Sequence, residues 1–144
     1  MFDVKIVTTS SEREDAFSVR RIVFVEEQGV PLSLELDELD ETADHFVVYT
    51  ENTPIGAGRL RETDSGIGKV ERVCILPEFR GKHLGKLIMQ ALEDHAAYKG
   101  FEKIVLNAQS YAIPFYEKIG YAITSPEFMD ADIPHRTMEK TVTK

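Results

Sequence analysis

Along the first eight residues Phe2, Val4 and Ile6 alternate with polar positions, the period of a half-buried strand. Ser11-x-x-Glu14 then reads as a capping box, opening a helix that ends near Gly29, with Pro31 barring its continuation. Phe17, Ile22, Val23 and Phe24 are among its apolar residues. An acidic stretch from Glu35 to Asp44 interrupts the pattern before a strand over 46–49, and Asn52-Thr-Pro54 separates that strand from another over 55–61. Gly56 and Gly58 inside the second strand predict a bulge or a close backbone approach, and Asp64-Ser-Gly66 predicts a turn, so these strands pair as a meander. A β-branched run over 70–75, a helix from about His83 to Lys99, a strand over 103–107 and a helix from about Ser110 to Ile119 follow. Residues 121–124 and 136–142 read as a closing hairpin pair. The order is mixed α/β, without internal repeat or low-complexity linker.

The junction after the β-branched run carries the most chemistry. Arg80-Gly-Lys-His-Leu-Gly85-Lys86 joins a strand to an amphipathic helix, bringing backbone amides, a helix N-terminus and three fixed cations into one turn. Amides of a first helical turn have no intrahelical partner, and the helix dipole favours an anion there. Gly81 and Gly85 lack a Cβ, so a ligand oxygen can come close to the main chain. The turn therefore reads as a cradle for phosphate; the alternative is a strand–loop–helix junction whose glycines serve packing alone.

This segment resembles the GNAT superfamily of acetyl-CoA-dependent N-acyltransferases, whose Arg/Gln-x-x-Gly-x-Gly/Ala loop follows a strand and opens a helix. Arg80 and Gly85 stand at signature positions, and His83 occupies the place of the first glycine. Residues 104–121, with Phe115-Tyr116 and Gly120-Tyr121, resemble the superfamily's second strand, helix and Phe-Tyr-x-x-x-Gly-Phe/Tyr ending. Residues 23–31, followed by Glu35, Asp37 and Asp40, are similar to the N-terminal half of small bacterial members of uncertain substrate. The resemblance implies an α/β (α+β) fold: a central mixed, mostly antiparallel twisted sheet, splayed at the cofactor site, with helices on both faces. It further implies acetyl-CoA as acyl donor, with Val73, Cys74 and Ile75 along the pantetheine arm and Arg80, Gly81, Lys82, His83, Leu84, Gly85 and Lys86 at the pyrophosphate. Asn107 is a candidate for the pantetheine arm or a turn residue.

Direct attack on a thioester requires a neutral amine, so some group must relay a proton. Glu71, expected to share a face with Val73 and Ile75, and His45, at the start of another strand, are candidate bases; the alternatives are a solvated strand carboxylate and a capping histidine. By resemblance Tyr116 protonates the departing thiolate, its alternative role being packing beside Phe115. Cys74 alternates away from residues 73 and 75 and reads as a small buried hydrophobe. Glu26, Glu27, Glu35, Asp37, Glu38, Asp40 and Glu41, with Glu26, Glu27, Asp37 and Asp40 foremost, could line a mouth that attracts an amine, or be solvated charge.

Composition narrows the classes. A chain of 144 residues with 42% hydrophobic content is sized for one core, giving one N-acetyltransferase domain over 1–144. A net charge of −8 argues against a nucleic-acid partner, since the basic cluster suffices for a pyrophosphate and not for a duplex. The absence of a leader pattern or a long apolar run predicts no membrane association and a cytoplasmic location, and the single cysteine fits a reducing compartment. No metal is expected. The expected activity is acetyl transfer to the primary amine of a small molecule in a ternary complex; alternatives are protein or peptide N-acetylation and a non-catalytic acyl-CoA sensor. The oligomeric state is open, with a homodimer one option.

Overall fold

A computed structural model describes residues 1–142. The elements are β1 (Phe2–Ile6), α1 (Ser10–Arg20), a π-helical stretch (Arg21–Glu27), the single turn α2 (Leu32–Glu35), a 3-10 turn (Glu38–Glu41), β2 (Asp44–Thr50), β3 (Thr53–Asp64), β4 (Ile67–Ile75), α3 (Leu84–Tyr98), β5 (Lys103–Gln109), α4 (Ile113–Lys118), β6 (Ala122–Ile123), β7 (Phe128–Asp130) and β8 (Ile133–Thr141). All the strands join one sheet in the order β1-β2-β3-β4-β5-β8-β6, with β7 also paired to β8. Among the described residues only β4 and β5 pair in parallel; the remaining neighbours are antiparallel.

Helices cover both faces. In β2, Phe46 and Val48 point into the core beneath α3, whereas Val47 packs with Ala16 and Val19 of α1. The same alternation in β3 sends Leu60 to α3 and Ala57 to α1. Gly56 and Gly58 permit close approach: a Cβ on Gly56 would stand 2.8 Å from Ile75 Cδ1, and one on Gly58 3.3 Å from Leu92 Cδ1. Buried Ile88, Met89 and Leu92 form the underside of α3.

The chain differs from its sequence pattern in four places. The cap of α1 is Thr9, not Ser11: its Oγ1 accepts the Glu12 amide at 3.1 Å while Glu12 Oε1 accepts the Thr9 amide at 3.3 Å. Two overlapping Ser/Thr-x-x-Glu patterns exist, and the one closer to β1 wins because the strand runs out by Val7. The helix that continues toward Gly29 widens after Arg20, so that the Gln28 amide reaches back to the Val23 carbonyl. The acidic stretch folds into two short turns. Finally β7, absent from the periodicity because it is three residues long, forms a hairpin with β8 ahead of the predicted pairing with β6.

Candidate active site

Strands β4 and β5 are paired from Ile67 and Lys103 as far as Val70 and Leu106 and then part. Beyond that point β4 follows β3 and β5 follows β8, leaving a wedge beside the first turn of α3. A cavity of about 1020 Å³ fills the wedge. Val73, Ile75 and Asn107 line its strands, Gly81, Gly85 and Lys86 its helical end, and Tyr116 its α4 wall. Glu71, Cys74, Arg80, His83 and Leu84 also border it, whereas Lys82, His45, Glu26, Glu27, Asp37 and Asp40 do not.

A bulge within β4 decides which side chains face which layer. Arg59 pairs with Glu71 and Ala57 with Cys74, so Arg72 and Val73 together oppose Gly58, and Arg72 takes a left-handed φ of 61°. The extra residue inverts the alternation. Glu71 therefore shares the α1 face with Cys74, not the face of Val73 and Ile75 that simple alternation predicts. Cys74 packs with Ala16, Val19 and Val23 as a small hydrophobe, and burial pushes its thiol up to about 12.

At the helical end, His83 caps α3 with φ 63°, a conformation glycine normally supplies. The first intrahelical bond runs from the Leu87 amide to the His83 carbonyl at 3.3 Å, so the amides of Leu84, Gly85 and Lys86 have no partner within the helix. Leu84 itself is a core residue. The two glycines serve different ends. Gly81 has φ 82° and open space around it, whereas a Cβ on Gly85 would stand 3.1 Å from Phe115 Cζ, which makes Gly85 the seat of α4 on α3.

Arg80 is already engaged. Its guanidinium forks onto Glu27, at 2.7 Å to each carboxylate oxygen, and its Nε donates to the Ile75 carbonyl at 3.0 Å. The hydrogen bonds from Arg80 hold the Glu27 carboxyl below its usual range. Thus Glu27 braces the loop that opens α3, and Glu26 stays exposed near Arg21. Lys82 and Lys86 have no ion pair among the described residues.

Of the acidic residues expected at a mouth, Glu35, Asp37 and Asp40 are folded into an ionic network around the buried Arg20 and Arg59. Arg20 binds Glu35 and Asp40, each at 2.8 Å; Arg59 binds Asp40 at 2.7 Å, Asp37 at 2.8 Å and Glu71 at 3.0 Å. Burial alone would raise the Asp40 carboxyl, but hydrogen bonds from Arg20 and Arg59 hold it at about 2. Glu71 experiences the same contest: burial opposes its charge, and Arg61, Arg59 and Lys69 keep it below the carboxylate range. A carboxylate so paired is a poor proton acceptor. His45 lies within this network, its Nε2 2.9 Å from the Asp40 carbonyl and its basicity lowered by burial.

Tyr116 faces the cavity with its ring against Phe115 and Tyr121, at centroid distances of 5.0 and 5.8 Å. Burial raises its phenol above the ordinary range, so it holds its proton at neutral pH. Asn107 Oδ1 accepts from Thr137 Oγ1 at 2.8 Å, which leaves its amide hydrogens toward other partners. Glu35, one of the acidic residues read in sequence as a possible mouth, stands on the cavity wall, buried with Oε1 unpartnered, and so does His135, which sequence reasoning missed. His135 belongs to no recognisable motif and is placed by contacts distant in sequence.

Fold and cleft together define an acyltransferase. The family model described as an acetyltransferase (GNAT) domain matches residues 11–142, and the chain belongs to this family. It is 48% identical over 136 residues to the uncharacterized N-acetyltransferase YjcF of Bacillus subtilis, covering 94% of this chain and 96% of that one. An acyl-CoA N-acyltransferase from Pseudomonas aeruginosa superposes with a TM-score of 0.86 at 24% identity, covering 97% and 98% of the two chains. An aminoglycoside 6'-N-acetyltransferase complexed with coenzyme A superposes with a TM-score of 0.79 at 16% identity, over 99% and 98%.

Proposed function

We propose that the protein moves the acetyl group of acetyl-CoA to a primary amine of a small molecule, by direct attack while both substrates occupy one cleft. The observation that carries this reading is the continuity of the cavity, which runs from the free amides of α3 through the parted strands to the wall made by Val30, Leu34 and Glu35. The diphosphate is assigned to the main chain from Gly81 to Lys86, with Lys82 and Lys86 supplying charge and Arg80 bracing the loop. Pantetheine is assigned to the edge of β4 at Val73 and Ile75, with Asn107 opposite. An amide aimed at the thioester oxygen would stabilise the developing oxyanion, commonly the largest catalytic contribution.

Tyr116 is assigned the proton that the departing thiolate takes. A phenol that stays protonated at pH 7 has a proton to give, and the ring stands on the cavity wall. A small acceptor is favoured because Val30, Leu34 and Glu35, the last pinned by Arg20 and Arg72, are themselves wall on that side of the cleft.

The test is free-thiol release from acetyl-CoA on addition of aminoglycosides, amino sugars, polyamines, amino acids or peptides. Release with small amines supports the reading, release with peptides alone redirects it, and coenzyme A binding without any release identifies a sensor. With an acceptor in hand, Tyr116→Phe should lower kcat by about a hundredfold and leave coenzyme A affinity unchanged; undiminished turnover removes Tyr116 from the mechanism.

A further inference from the structure

His135 belongs to no motif, yet its placement is that of a proton acceptor. It is the third residue of β8, in register with Gln109 of β5 on one side and Phe128 of β7 on the other. The ring is 7% exposed and stacks on Phe128 at 6.0 Å with an interplanar angle of 20°. Its Nδ1 lies 2.7 Å from the Ile133 carbonyl. A carbonyl only accepts, so Nδ1 carries the hydrogen and the neutral ring keeps its lone pair on Nε2. Nε2 has no hydrogen-bond partner among the described residues and is not one of their sealed, unpartnered polar atoms, which are Glu35 Oε1 and His45 Nδ1. His135 borders the same cavity as Tyr116 and Asn107.

The other histidines are placed differently. His45 is outside the cavity, His95 is bound to Asp44 at 3.0 Å, and His83 caps α3. The charged and titratable groups on the elements around His135 are Asp130 and Asp132 of its hairpin, Arg136 next along β8, Glu139 and Lys140 farther along it and bound to Lys103 of β5 and to Glu93, Glu127, which accepts from Ser110 Oγ at 2.9 Å, and the tyrosines Tyr111 and Tyr116.

We propose that His135 Nε2 takes the proton released by the attacking amine, an inference that rests on amine acetylation being the reaction. The amine nitrogen bonds to the thioester carbonyl carbon, and the N–H proton of the adduct passes to Nε2. The C–S bond then breaks with its electron pair on sulfur, and the thiolate takes the phenolic proton of Tyr116. Solvent carries the imidazolium proton back to the tyrosinate, so that amide and free thiol are the net products.

The experiment compares wild type, His135→Gln and His135→Ala with whichever amine of the screen gives the fastest thiol release. Wild-type kcat at saturating amine should fall on the acidic side, and His135→Gln should lose about a hundredfold in kcat together with that limb, while coenzyme A affinity by calorimetry is retained. Added imidazole should restore part of the rate of His135→Ala. In the wild-type protein, the nitrogen-15 shifts of the His135 ring should show the hydrogen on Nδ1 and a bare Nε2, a reading that needs no variant to fold. A hydrogen on Nε2 instead, or a His135→Gln enzyme that keeps the limb, overturns the assignment alone. A wild-type protein that binds coenzyme A and releases no thiol with any amine overturns amine acetylation, and this assignment with it.

Discussion

His83 shows how one residue can carry a family's motif while departing from it. The loop needs a left-handed residue where α3 begins, and histidine supplies it at φ 63° in place of the usual glycine. An L-residue in that region costs about 1–2 kcal/mol, offset in part by the greater freedom glycine would have in the unfolded chain. His83→Gly should therefore raise stability by about 0.5–1 kcal/mol; an unchanged or lower denaturant midpoint would contradict it. Gly85 teaches the opposite lesson at the same loop. It reads in sequence as a phosphate contact, and in space it also gives Phe115 a surface to rest on.

Among the elements, the segment between Pro31 and Asp44 is held by charge. Its α2 turn and the turn at Glu38–Glu41 bury little apolar surface, and Leu32, Leu34 and Leu36 remain exposed. Arg20 from α1, Arg59 from β3 and Arg72 from β4 hold it instead through Glu35, Asp37 and Asp40. Removing one partner of a buried ionic cluster leaves the others uncompensated, at a cost of about 3–5 kcal/mol. Arg59→Met should therefore destabilise the protein by that amount and open residues 36–43 to proteolysis; a loss under about 1 kcal/mol would show that the network is dispensable. The acidic stretch was visible in sequence. Its partners were not, since they sit on three separate elements and ordinary arginines announce nothing about burial.

For the whole molecule the same network sets the response to acid. Asp40 titrates at about 2 when folded against 3.8 for the free side chain, so below pH 3.8 the unfolded chain takes up a proton that the folded chain refuses. Stability from Asp40 is thus full above pH 3.8 and lost as pH falls toward 2, an effect of about 2 kcal/mol that Asp37 and Glu71 reinforce in the same direction. His45 acts earlier. Burial lowers its basicity below the free value of 6.5, so the unfolded state binds its proton first and stability begins to fall as pH drops through 6.5. Urea midpoints measured from pH 7.5 to 2.5 should decline gently below 6.5 and steeply below 3.8, and a flat profile down to pH 3 would refute this. No helix among the described residues is long and apolar enough to cross a membrane, and no cluster there is placed to hold a metal ion.

By itself the sequence determined the order of the long strands and helices, the helix-opening loop from Arg80 to Lys86 and the placing of Tyr116 on the helix after β5, because each depends on periodicity, capping or glycine within a few neighbouring residues. Tertiary structure alone decided the rest. The extra residue at Arg72 turned Glu71 to the other face, a folded Glu27 claimed Arg80, and β7 brought Phe128 against His135. Gln109 and Gln28, 81 positions apart, meet at 2.9 Å beside the cavity. Such contacts arise only when the sheet closes, since hydrogen bonds and ion pairs act over a few ångströms whatever the distance along the chain.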